Sequence, residues 1–276
     1  MQDSPAGSHW RALGPWLLAG ILAAAVGSAG WAQAQEPLTL YYFPRPPFYT
    51  TDAQGQAGGP LVDLARAIMT RADLAHRWVS MPSKRVLLQL GQGDPACGVG
   101  WIRTPERETF ARFSRPILRD APMVALARPA TAQGLPTPAT LAGLLTSDLV
   151  LGVIDGFSYG PEVDALIARH HPPRQPMTGE VSRLMYMTAA GRCDWMLLNR
   201  QEALWQMAND PALGRGLRAL ELADAPPGNL RRLMCAKSLA AATMERIDRA
   251  ILLVLGDDLS EASAPADGPP DQRSGR

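Results

Sequence analysis

The side chains that could do chemistry in this chain are scattered, and few stand at motif spacing. Glu106, Asp155 and Glu180 are the carboxylates best placed to act as acid or base, and none belongs to a recognisable catalytic set. There is no Gly-rich nucleotide loop and no Ser/His/Asp motif, so no catalytic residue is assigned. Cys97, Cys193 and Cys235 form no C-x-x-C or His/Cys cluster, which leaves metal ligation weakly supported; no metal or other cofactor is expected. His170-His171 precede Pro172-Pro173 and read as a surface loop. The chemistry on offer is recognition of a molecule rather than its transformation.

The elements that must position such chemistry begin with an export pattern. His9 and Arg11 precede an apolar run from Leu13 to Val26, and small residues lead to Ala32-Gln33-Ala34. A basic start, a short apolar middle and an A-x-A exit describe a cleavable signal peptide over 1–34. The run is short for the roughly 20 residues a bilayer span needs. No Cys stands at the junction, so lipid anchoring is not suggested. The exported chain would be periplasmic, where three cysteines imply one disulfide and one leftover thiol.

Composition is that of an ordinary globular chain: 276 residues, 46% hydrophobic and 19% charged, enough for two modest cores. A formal charge of +1 with no basic or acidic run argues against nucleic acid and against an electrostatic membrane clamp. Strand-like runs at 38–43, 76–80 and 96–101 alternate with helical patterns at 60–74, from Ser83 as cap, and from Thr104-Pro105. Pro44, Pro46 and Pro47 stop the first strand. The rhythm restarts with strands at 123–127, 149–154 and 195–198 and helices at 161–169 and 181–191; a strand at 230–236 and a helix at 239–255 close it. Two α/β units in one chain predict a ligand cleft between them. Beyond Asp257 the composition turns to Ser, Ala, Pro, Gly and Asp, so 259–276 reads as a disordered tail.

Five segments in order carry a family resemblance. They are Gly59-Pro60-Leu61-Val62-Asp63-Leu64-Ala65; Gly100-Trp101-Ile102-Arg103-Thr104-Pro105-Glu106-Arg107; Phe113-Ser114-Arg115-Pro116-Ile117; Leu151-Gly152-Val153-Ile154-Asp155-Gly156 with Ser158-Tyr159-Gly160; and Gly191-Arg192-Cys193-Asp194. Together they resemble the periplasmic solute-binding proteins of polar amino-acid uptake, bacterial extracellular family 3, over about residues 38 to 255. The resemblance implies a type II periplasmic-binding-protein fold: two α/β lobes joined by a two-strand hinge. Lobe 1 would span 35–120 and 230–258, and lobe 2 would span 121–229.

The resemblance also implies a ligand set. Arg107 matches the family arginine that forks onto a ligand carboxylate. Its structural alternative is a solvated side chain in a first helical turn, where the dipole opposes it. Ser158, Tyr159 and Gly160 lie where N–H groups at a helix start can hold an anion, a role that coexists with capping. Tyr42, Phe48 and Trp101 are candidate aromatic walls, and core packing suits each of them equally. Arg85 points into the cleft or into solvent. Asn199 stands where amino-acid binders place an Asp for the ligand ammonium, and Ile102 where a hydroxyl is usual; both weaken selection of a typical amino acid.

In this fold the third strand of lobe 1 neighbours the strand returning from lobe 2. That implies a Cys97–Cys235 bridge with Cys193 free; three buried thiols are the alternative. The expected function is a monomeric exported binder that traps a small polar or anionic molecule for an ABC-type transporter. The alternatives are a periplasmic dehydratase or lyase on the same fold, and an accessory that reports its ligand to a membrane sensor.

Overall fold

The computed structural model describes residues 36–257 and Leu259. The expected signal segment, and all of the expected tail except Leu259, lie outside those residues. No helix among the described residues is long and apolar enough to cross a membrane.

The chain first builds most of one lobe. Strand β1 (Leu38–Tyr42) is buried at every position, as a central strand covered on both faces must be. A small hairpin of β2 (Thr50–Thr51) and β3 (Ala57–Gly58) leads to α1 (Pro60–Arg71). Pro60 opens that helix, and Leu61, Val62, Ala65, Ile68 and Met69 bury one face of it. Next come β4 (His76–Ser80), α2 (Ser83–Gly91), β5 (Ala96–Ile102), the single turn α3 (Pro105–Glu108) and β6 (Ala111–Arg119).

The chain then crosses over. The second lobe holds β7 (Met123–Ala127), α4 (Pro129–Gln133), α5 (Leu141–Leu145), β8 (Leu151–Ile154), α6 (Pro161–His170) and β9 (Arg174–Met177). It continues through α7 (Val181–Ala189), β10 (Trp195–Asn199), α8 (Arg200–Asn209), α9 (Pro211–Gly216) and β11 (Arg218–Glu221). The return strand β12 (Leu230–Ala236) and α10 (Ala241–Leu255) complete the first lobe.

Each lobe has a five-stranded sheet, ordered β4-β1-β5-β12-β6 in one and β11-β7-β10-β8-β9 in the other. β1 runs parallel to β4 and β5, whereas β12 runs antiparallel to both β5 and β6. Two strand ends therefore carry the chain between lobes, β6 outward and β12 back. They are tied together there: the Asp120 N–H donates to the Asn229 carbonyl at 2.8 Å, and Arg231 Nε–H donates to Asp120 Oδ2 at 2.8 Å, both side chains being buried.

Register also brings the cysteines together. Cys235 lies opposite Cys97 on the β12–β5 pair, and the two sulfurs are bonded. Cys193 is free and buried beside Thr188, whose Oγ1 lies 3.2 Å from its sulfur; burial raises the thiol pKa.

Several local expectations are corrected. Ser83 does not cap α2: Pro82 occupies the cap position and no side chain closes it. Between the strands expected at 123–127 and 149–154, where no element was assigned, Pro129 opens a short helix, α4. The Phe113–Ile117 segment, to which no element was assigned, lies in a nine-residue strand at the sheet edge. β9 and β11 were not anticipated, since Arg174-Gln175-Pro176-Met177 and Arg218-Ala219-Leu220-Glu221 have no long apolar run to announce them.

Candidate functional site

Between the lobes, two arginines of the first lobe reach residues of the second. Arg45 stands on the proline-held loop after β1. Its guanidinium forks onto Glu202 in the first turn of α8, Nε to Oε1 at 2.8 Å and the second bond to Oε2 at 2.7 Å. The Glu202 side chain is wholly buried and that of Arg45 is 11% exposed. Burial alone would lower the Arg45 pKa; the Glu202 charge more than offsets it and holds the pKa above its ordinary value. Arg45 also lies over the Phe157 ring, 5.4 Å from its centroid. Two cavities of about 20 Å³ each flank it, so the middle of the cleft is filled by the protein's own groups.

Arg107 has no such partner. Thr104 caps its short helix, accepting from the Arg107 N–H at 3.3 Å, and this presents the side chain inward. The guanidinium donates to the Ile102 carbonyl at 2.8 Å and, across the cleft, to the Gly156 carbonyl at 3.1 Å. It lies 4.9 Å from the Trp101 ring centroid, a cation–π distance. Among the described residues no carboxylate pairs with it. Burial lowers its pKa to about 10, with the Asp164 charge opposing the shift.

Close packing at the strand end explains two glycines. Gly100 has φ +75°, and a Cβ there would sit 1.7 Å from the Tyr49 hydroxyl, which donates to the Val99 carbonyl. Gly160 has φ +101°, and its Cβ would collide with Asn229, whose side chain donates to the Tyr159 carbonyl at 2.9 Å.

Two larger spaces open at the cleft edges. One, of about 470 Å³, faces the hinge and is lined by Arg119, Met123, Pro226 and Asn229 among others. The other, of about 1130 Å³, lies between α2, α3 and the turn before α6, with Arg107 at its back.

The structure gathers Trp101, Arg107 and Ser158 around one part of the cleft. Arg85 is exposed on the rim of the larger space. It does not bring Tyr42 or Phe48 there. Both belong to the lobe 1 core; Tyr42 packs edge-on to Trp78, and its hydroxyl lies 2.9 Å from Thr51 Oγ1. Phe43, one residue on from Tyr42, is the aromatic that meets Phe157 across the cleft at 6.0 Å.

Asn199 and the 158–160 turn are already engaged. Asn199 Oδ1 caps α8, accepting from the Gln201 and Glu202 N–H groups at 2.8 and 3.3 Å, and its Nδ2 donates to the Ala121 carbonyl. The Ser158 hydroxyl donates to Asp164, the Tyr159 N–H donates to Asp164 Oδ1 at 2.9 Å, and the Gly160 N–H donates to Ser158 Oγ at 3.1 Å. Arg45 and Glu202 went unmarked in the sequence. Their only signals are an arginine locked among prolines and an acid three residues after a capping Asn.

A two-lobed α/β fold with an enclosed, partly charged cleft and paired crossing strands defines a ligand-trapping protein of the periplasmic type. The model of the bacterial extracellular solute-binding proteins, family 3, matches residues 41–251, and the chain belongs to that family. Among solved structures it is similar to an ancestral arginine-binding protein bound to arginine, with 19% identity, TM-score 0.65, and 81% of this chain and 94% of that one covered. It is similar to the VFT2 domain of BvgS from Bordetella pertussis, a double mutant, with 19% identity, TM-score 0.63 and coverage of 80% and 89%. A periplasmic His/Glu/Gln/Arg/opine family-binding protein from Silicibacter pomeroyi, in complex with lysine, aligns with 16% identity, TM-score 0.62 and coverage of 79% and 89%. At these identities the likeness establishes the fold. No curated protein matches the chain.

Proposed function

We propose that this protein is an exported, periplasmic binder that closes its lobes over a small anionic molecule, leaves it chemically unchanged, and presents the closed form to a membrane transporter or sensor. The observation that carries this is Arg107: a buried cation that, among the described residues, no carboxylate contacts, reaching across the cleft to the second lobe. A buried guanidinium lacking a carboxylate is costly, and a ligand carboxylate would relieve that cost. Closure would follow as a population shift driven by contacts that exist only when both lobes touch the ligand.

A thermal-shift screen of the mature protein against amino acids, dicarboxylates, sugars and aromatic acids tests this. Selective stabilisation by one class is expected, because a ligand bound to the native state raises apparent stability. Mass spectrometry of the same mixtures should return every solute unaltered. Turnover lost on changing one cleft carboxylate would instead make the protein an enzyme.

A further inference from the structure

The lobes meet at the centre of the cleft and part at its edges. Thr104, Pro105 and Pro161 line both the hinge-facing space and the outer one, so the contact between lobes there is a narrow ridge between two voids. Weak bonds accompany it: Arg107 donates to the Gly156 carbonyl at 3.1 Å, and Gln206 Nε2 donates to the Pro46 carbonyl at 3.5 Å. The Arg45–Glu202 contact is of a different order. Arg45 Nε reaches both carboxylate oxygens, at 2.8 and 3.0 Å, and a terminal nitrogen reaches Oε2 at 2.7 Å. Such charge-assisted forks are the stronger kind of hydrogen bond.

Each half of the pair is set in place by its own lobe. The Arg45 N–H donates to the Tyr49 carbonyl at 3.0 Å, and the Phe48 and Tyr49 N–H groups donate back to the Arg45 carbonyl at 3.0 and 3.1 Å. Glu202 stands in the first turn of α8, where the helix dipole favours an acid, and its N–H donates to Asn199 Oδ1 at 3.3 Å. Only two side chains remain to be ordered when the halves meet, so little entropy opposes the contact. Desolvation opposes it more strongly. The fork itself offsets that, helped by the Phe157 ring 5.4 Å from the guanidinium and by flanking cavities of only about 20 Å³. The strongest closing contact of the cleft is thus made entirely of the protein's own groups.

We propose that the Arg45–Glu202 pair is a built-in latch that holds most of the solute-free protein in the closed form. The inference goes beyond the solute-binding reading and holds whichever solute the cleft takes. An arriving solute completes a shift that the pair has already begun, and the outer space of about 1130 Å³ stays open to admit it. Apparent affinity scales with the fraction of molecules competent to bind, so the latch tunes affinity without touching the solute.

Small-angle X-ray scattering of the solute-free mature protein reads the separation of the lobes, and charge reversal isolates the pair. The wild-type curve is expected to match the closed lobes. Arg45→Glu and Glu202→Arg each set like charges face to face, and each should raise the radius of gyration by about 1 Å or more, several per cent for a chain of this length. The double variant Arg45→Glu/Glu202→Arg restores opposite charges and should recover most of the difference. Cooperative melting of each variant separates opening from unfolding, and either single reversal suffices if the other does not fold.

A wild-type protein as expanded as the single variants would overturn the latch, as would single variants as compact as the wild type. A double variant no more compact than either single would do the same, since loss of structure rather than of charge pairing would then explain the expansion. Those results leave the solute-binding reading standing. No response to any solute in the thermal-shift screen would discard that reading and leave the latch.

Discussion

Arg45 and Arg107 leave the same lobe and cross the same cleft, Arg107 buried and the Arg45 side chain 11% exposed, yet only Arg45 meets a carboxylate. Around Arg45 the protein is complete: charge, counter-charge and the Phe157 ring close on one another with only about 20 Å³ to spare on each side. Around Arg107 it is incomplete, holding two carbonyls, one indole and a large open space. Arg45 therefore contributes to the closed architecture, whereas Arg107 has binding capacity left over. Exposure alone would not separate them, since what differs is charge compensation.

The sharpest break of this contrast removes the compensating acid. Glu202→Gln should destabilise the protein by about 3–5 kcal/mol in urea unfolding, because Arg45 would stay buried without its counter-charge. Replacing both partners by methionine should cost less than either single change. Opening the Cys97–Cys235 bridge in a double serine variant is expected to cost about 2–4 kcal/mol, given the 138-residue separation it spans, without altering ligand preference. Asn199→Ala should cost about 1 kcal/mol as a lost cap and leave ligand affinity unchanged. Arg107→Met should shift the stability of the free protein by less than about 1 kcal/mol, its lost hydrogen bonds offset by relief of an unpaired buried charge.

The smallest effect is chemical. Burial raises the Cys193 pKa, so at pH 8 the thiolate fraction falls below that of an ordinary thiol. Alkylation of the native protein should accordingly be slow and should become fast in denaturant. Rapid native alkylation would mean that the second lobe opens locally around β10.

Much of the fold was legible in the sequence because central strands announce themselves. Met123–Ala127 and residues 195–198 are apolar runs with no competing reading, and the restart of the strand–helix rhythm marks the second lobe. Short edge strands such as β9 and β11 carry no such run, so local pattern did not reveal them. Arg107 was visible through its Thr104-Pro105-Glu106-Arg107 setting. Arg45 and Glu202 were not, since an ion pair between residues so distant in sequence is created by lobe packing alone. β1 explains the misplaced aromatic: with every residue buried, its pattern cannot show whether Tyr42 or Phe43 faces the cleft.

A crystal structure of the mature protein grown with the solute that most stabilises it in the thermal-shift screen tests the central claim most directly. The account predicts an anionic group of that solute on Arg107 and an Arg45–Glu202 pair left intact. A ligand lodged between Arg45 and Glu202, with that pair broken, would contradict it.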